Sequence, residues 1–309
     1  MIKLNFLFVL FLMVGACSDD DDNKSIPDET VDPPTASGVI YFRSSVNFQN
    51  SYSNLKTALR DNENISVVQE LNHSQNAASV NMDLAPTQII FFGNPRLGTP
   101  LMQEDQLAGL DLPQRVLFYE EESEVFALYN STDYLASRYE VADVESLPNI
   151  AEALNNLVSN AVNAEAKKNG SQEVELHDGI VSINSSLNFE TTYNNLKSSI
   201  ESNENLSIVA ELDHQENAAS VEIDLRPTKV IMFGNPNLGT PLMQSTRSIA
   251  LDLPQKMLVW EGEDGTVTIS YNSPEYLKKR HQMEGNQEQI EQISNALEML
   301  ANSAAGIEN

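Results

Sequence analysis

The chain has 309 residues, 41% hydrophobic and 20% charged, and its 45 acidic and 18 basic side chains give a formal charge of −27. So few Lys and Arg argue against nucleic acid as a partner, because that binding is dominated by neutralising phosphates, and against peripheral adhesion to anionic lipid. The single cysteine, Cys17, excludes internal disulfides.

Residues 1–16 read as a signal peptide: Lys3, an apolar run from Leu4 to Val14, then the small Gly15 and Ala16 before Cys17. The run is too short for a membrane span, which needs about 20 apolar residues. Leu12-Met13-Val14-Gly15-Ala16-Cys17 resembles a bacterial lipobox, so Cys17 is the expected lipidation site and its acyl chains the expected hold on the membrane. Residues 17–37, with Ser18-Asp19-Asp20-Asp21-Asp22 and a Pro-, Asp- and Thr-rich stretch, have little to bury and predict a disordered acidic tether. An acidic run directly after a lipidated cysteine resembles the surface-export signal of some Gram-negative lipoproteins. The expected address is the outer membrane, with the surface favoured over the periplasmic face.

Val39-Ile40-Tyr41-Phe42 predicts a first strand, and Phe48, Tyr52, Leu55 and Leu59 fall on one face of a helix that packs on the sheet. Ile65 to Leu71 predicts a second strand, and Asn72 to Asn76 a polar loop. Val80, Met82 and Leu84 alternate with polar residues and predict a half-exposed third strand ended by Pro86. Gln88 to Phe92 is a nearly continuous apolar strand. It runs into Gly93-Asn94-Pro95-Arg96-Leu97-Gly98-Thr99-Pro100-Leu101-Met102-Gln103. Strands at Arg115 to Tyr119 and Val125 to Tyr129 follow across an acidic turn. Ser131-Thr132-Asp133 then opens a helix, and Ile150, Leu154, Leu157 and Ala161 mark a final amphipathic one.

The eleven-residue segment returns 141 residues later as Gly234 to Gln244 with one substitution, and every element around it returns in the same order. The chain is therefore two copies of one domain, 38–166 and 179–305, joined by a polar linker over 167–178. Hairpin-linked strands with helices at the ends predict an α+β domain built as strand, helix, four or five strands, helix, with an antiparallel sheet.

The repeated segment after an apolar strand, then Asp111-Leu112-Pro113, then Tyr129-Asn130 before a helix, resembles the domain of unknown function 302 family over residues 39–140 and 180–282. That resemblance implies a TATA-binding-protein-like α+β architecture and a capacity to dimerise; it implies no activity. A dimerising domain duplicated in one chain predicts an intramolecular pseudo-dimer and a monomeric protein. Family members often carry an Arg-His pair on the last helix. Copy 2 keeps Arg280-His281, and copy 1 has Arg138-Tyr139.

Thr99 with Pro100 after it predicts a capped helix start whose free N–H groups suit an anion. His73, Asn94, Thr99 and Gln103, and their counterparts His214, Asn235, Thr240 and Gln244, are the candidate ligand-binding residues, expected around one cleft in each domain for a small polar or anionic ligand. The bland reading of the segment is a strand-to-helix corner. A Gly-x-Ser-x-Gly elbow, a His-Glu-x-x-His helix and a P-loop are all absent, so neither a metal nor a cofactor is expected and catalytic residues are not assignable. Asp83 (Asp224) and Asp111 (Asp252) are the acid–base pair that an enzyme would use, although Asp111 also suits a turn. A lipid-anchored binding or interaction module is the leading function, with an enzyme acting on a small envelope metabolite and a structural envelope component as the alternatives.

Overall fold

A computed structural model describes residues 31–307, so the signal peptide and Cys17 lie outside the described residues. Copy 1 runs β1 (Val39–Arg43), α1 (Phe48–Arg60), β2 (Ser66–Asn72), α2 (His73–Ser79), β3 (Thr87–Gly93), α3 (Pro95–Glu104), β4 (Gln114–Glu121), β5 (Glu124–Asn130), α4 (Thr132–Tyr139) and α5 (Leu147–Val162). Its linker adds β6 (Lys167–Lys168). Copy 2 repeats the order as β7 (Ile180–Asn184), α6 (Phe189–Glu201), β8 (Ser207–Asp213), α7 (His214–Ala219), β9 (Thr228–Gly234), α8 (Pro236–Ser245), β10 (Gln255–Glu261), β11 (Val267–Asn272), α9 (Pro274–Arg280) and α10 (Gln287–Ala304). A short 3₁₀ segment precedes β4 (Gln106–Leu110) and β10 (Arg247–Leu251).

Each copy builds one antiparallel sheet, ordered β2-β3-β4-β5-β1-β6 and β7-β11-β10-β9-β8. The predicted aromatic stripe of α1 does face the core: Phe48, Tyr52, Leu55 and Leu59 are buried with Phe42, Phe92 and Phe118 of the sheet, and α5 closes the same layer through Leu154 and Val158. The edge strands β2 and β8 each carry a register shift, at Val67/Gln69 and Ile208/Ala210, which leaves Val68 and Val209 outside the ladder.

Three expectations fail locally, each for a visible reason. No strand forms over 80–84. Asn72 caps α2 by accepting the Gln75 N–H, so the segment read as a polar loop is a helix, and Asn81 leaves it in the left-handed region at φ 57°. In copy 2, Leu225 of the matching segment packs against the core of copy 1 instead. The predicted tether is also fixed at its end. Ala36 is fully buried, and Ser37 N–H donates to the Arg280 carbonyl at 3.2 Å. Finally, Thr99 and Pro100 lie inside α3, whose cap is Asn94 and whose first residue is Pro95.

The two copies share an interface. The 3₁₀ segment of each lies over the other's sheet, α3 contacts α7, and α2 contacts α8. Gly38 and Gly179 sit just before β1 and β7 at φ +71° and +69°, where a Cβ would fall 2.4 Å from Tyr134 and 2.0 Å from Tyr276. Only glycine satisfies both the backbone and the contact.

Candidate functional site

Two related clefts open beside the repeated segments, one of about 540 Å³ and one of about 420 Å³. The first is walled by Ile65, Phe92, Leu97, Met102, Leu154 and Leu157 of copy 1, and closed by Leu212, His214 and Asn217 of copy 2. The second reverses the contribution. Phe233, Leu238, Met243 and Leu297 come from copy 2, and Leu71, His73 and Asn76 from copy 1. Asn94 and Thr99 thus share a cleft with His214, and Asn235 and Thr240 with His73. The expectation of one cleft within each domain is corrected, because α2 and α7 pack across the interface onto the opposite signature helix.

Gln103 and Gln244 line neither cleft. Each ties the copies together: Gln103 Nε2 donates to the Asp224 carbonyl at 2.7 Å, and Gln244 Nε2 to the Asp83 carbonyl at 2.6 Å. The expected anion site at the helix start does not form either. Asn94 takes the Arg96 N–H on its side chain and the Leu97 and Gly98 N–H groups on its carbonyl, which leaves no free donor in the first turn. Asn235 does the same in copy 2.

Both cleft histidines are only 4% exposed, and the Nε2 atom of each is buried without a partner. Burial pushes both imidazoles down to about pKa 4, so they are neutral at neutral pH. Gln114 Nε2 in the first cleft and Thr240 Oγ1 in the second are likewise buried and unpartnered. Each cleft is therefore lined by two side chains whose buried polar atom lacks a partner, within a mainly apolar wall, a combination that folded proteins normally avoid. A third hollow of about 580 Å³, beside Tyr52, Lys56 and Arg60, lacks this feature. Its charged groups are already joined through Glu70, with Lys56 at 2.8 Å and Arg60 at 3.0 Å.

A second constellation occupies the centre of the interface. Asp111 accepts from Arg115 (2.7 Å), Arg138 (2.9 Å) and Tyr139 (2.6 Å), while Asp252 accepts from Arg115 (2.6 Å), Arg280 (2.6 Å) and His281 (2.8 Å). Burial would raise both carboxyls, but the guanidiniums outweigh it and hold them well below the usual range. Arg138 then crosses to Asn272 (2.8 Å) and Arg280 to Asn130 (2.7 Å), and the two guanidiniums lie over Tyr276 and Tyr134 at 4.6 and 4.1 Å. Tyr139 thus performs the role of His281, and the departure from the Arg-His pair costs the network no hydrogen bond. Arg115 is the one arm long enough to bridge both carboxylates. Its counterpart, Lys256, is 4.0 Å from Asp111 and has no hydrogen-bond partner.

The family described as "Domain of unknown function DUF302" matches residues 40–164 and 181–300, one match to each copy. The chain belongs to the DUF302 family. Curated relatives that share part of this tandem DUF302 chain are the "Fluoride-specific ion channel FluC 1" proteins of Brucella suis and Brucella abortus. Each is 41% identical over 78 residues, which is 25% of this chain and 31% and 29% of the relatives. The chain thus spans less than a third of the curated relatives that it matches. A crystal structure of an uncharacterized conserved DUF302 protein from Bacillus stearothermophilus aligns at 17% identity and a TM-score of 0.34, covering 41% of this chain and 98% of that one.

Within the DUF302 repeats, the acid–base pair is not assembled. Asp83 and Asp224 are exposed on the docking loop, whereas Asp111 and Asp252 are committed to the buried network. Among the described residues no group of three or more His, Cys, Asp or Glu side chains is placed to hold a metal ion, and no helix is long and apolar enough to cross a membrane. Arg115, Asn130, Asn272 and Lys256 were not among the sequence candidates. Their signal was present as matched polar positions in both copies, but nothing in one chain marks a polar residue as central to an interface.

Proposed function

We propose that this chain is a lipid-anchored, monomeric cell-envelope protein that binds a small molecule in each of its two composite clefts. The observation that carries the binding is the pair of orphaned, fully buried polar atoms in each cleft: His214 and Gln114 in one, His73 and Thr240 in the other. Leaving such groups unsatisfied costs about 1–3 kcal/mol each, and a ligand that pairs them recovers it. Cleft size agrees with a small ligand.

The anchor rests on the lipobox-like segment ending at Cys17. The channel activity in the names of the Brucella relatives is theirs. Native mass spectrometry of protein purified from its own membranes tests the binding: small molecules retained by the wild type should be lost from the double variant Ala153→Trp, Ala296→Trp, since those alanines line the two clefts. Equal small-molecule content in both would overturn the reading. For the anchor, Cys17→Ser should abolish labelling by palmitate and release the protein from membranes.

A further inference from the structure

We infer that both clefts select an uncharged, mainly apolar molecule carrying one hydroxyl, and reject carboxylates and phosphates. This rests on the proposal that the clefts bind ligand and adds the chemical class.

Charge decides the first half. Neither lining contains a lysine or an arginine. The N–H groups at the start of α3 are consumed by Asn94, so no backbone anion site replaces them. An ionised ligand head would be buried unpaired, which is far costlier than burying a neutral one, and the overall charge of −27 repels anions on approach. A cation fares no better. The second cleft has no carboxylate, and Glu211 in the first is already held by Tyr193 (2.6 Å) and Lys197 (2.8 Å).

The orphaned atoms decide the second half. A neutral imidazole nitrogen in the same lining as a primary amide or a threonine hydroxyl matches a hydroxyl, which both donates and accepts, and the wall around them is mainly apolar with scattered neutral polar side chains such as Asn217 and Asn76. The same pairing arises twice although only the histidine is common to the two orphan sets. The shared element of recognition is therefore the histidine.

Isothermal titration of the delipidated full chain with 1-decanol, decanoate and decyl phosphate at neutral pH tests the class. Decanol should bind at least tenfold more tightly than either anion. Its binding should be lost in Ala153→Trp, Ala296→Trp, and weakened about tenfold in His73→Phe, His214→Phe. Decanoate or decyl phosphate binding as tightly as decanol, and blocked by the same tryptophans, would overturn the class while leaving the clefts as ligand sites. Decanol affinity unchanged in the histidine variant would overturn the hydrogen-bonding half. If none of the three probes responds to the tryptophans, the clefts are not ligand sites and both proposals fall.

Discussion

At the residue scale the interface is governed by two aspartates. Asp252 is buried from solvent, and three side chains depend on it. Asp252→Asn should therefore cost about 3–5 kcal/mol of stability, read as a fall in the urea midpoint, because it strands buried guanidinium charge. Lys256 acts in the opposite sense. Burial, with Arg115 next in weight, pushes its amine down to about 7 from 10.5. Below pH 7 the folded protein must carry this charge at a cost. Between about 7 and 10.5 the unfolded chain binds more protons than the folded one, so stability rises with pH in that window. Lys256→Met should remove the rise and be the more stable protein below pH 7; urea midpoints of both proteins across that range provide the check. Asp111 was legible in the sequence as a turn residue beside Leu112-Pro113. The network around it was not, because Arg115 reaches Asp252, and Arg138 and Arg280 reach Asn272 and Asn130, across a boundary that no local pattern encodes.

At the element scale, periodicity read correctly wherever a face was continuous. The stripe of α1 and the apolar run of β3 are buried as their spacing selected, and in α5 Ile150, Leu154 and Ala161 are buried while Leu157 is half-buried on the wall of the first cleft. Periodicity failed at Val80, Met82 and Leu84, where the chain leaves α2 through a left-handed Asn81 and forms no strand. The repeated segment is a strand-to-helix corner, as its bland reading held, but the cap was misassigned: Asn94, not Thr99, follows the strand and caps the helix. Asn94→Ala should lower stability by about 1 kcal/mol, seen in chemical denaturation. If that variant were as stable as the wild type, the cap would not be what holds α3 against the cleft.

At the scale of the whole molecule, duplication made one object from two domains. The copies exchange Gln103 and Gln244, cross their arginines, and each completes the other's cleft with a histidine. Sequence supplied His73, Asn94 and Thr99 with their counterparts but not their pairing, and it missed Gln114 and misplaced Gln103 and Gln244, because matching residues in a repeat do not say whether they meet within a copy or between copies. Methyl and imidazole NMR of the full chain titrated with 1-decanol separates these arrangements. Composite clefts predict that Met102 shifts together with His214 and Met243 with His73, and that Ala153→Trp silences the first pair alone. Met102 moving with His73, or all four signals staying still, would contradict the shared clefts on which the proposed function stands.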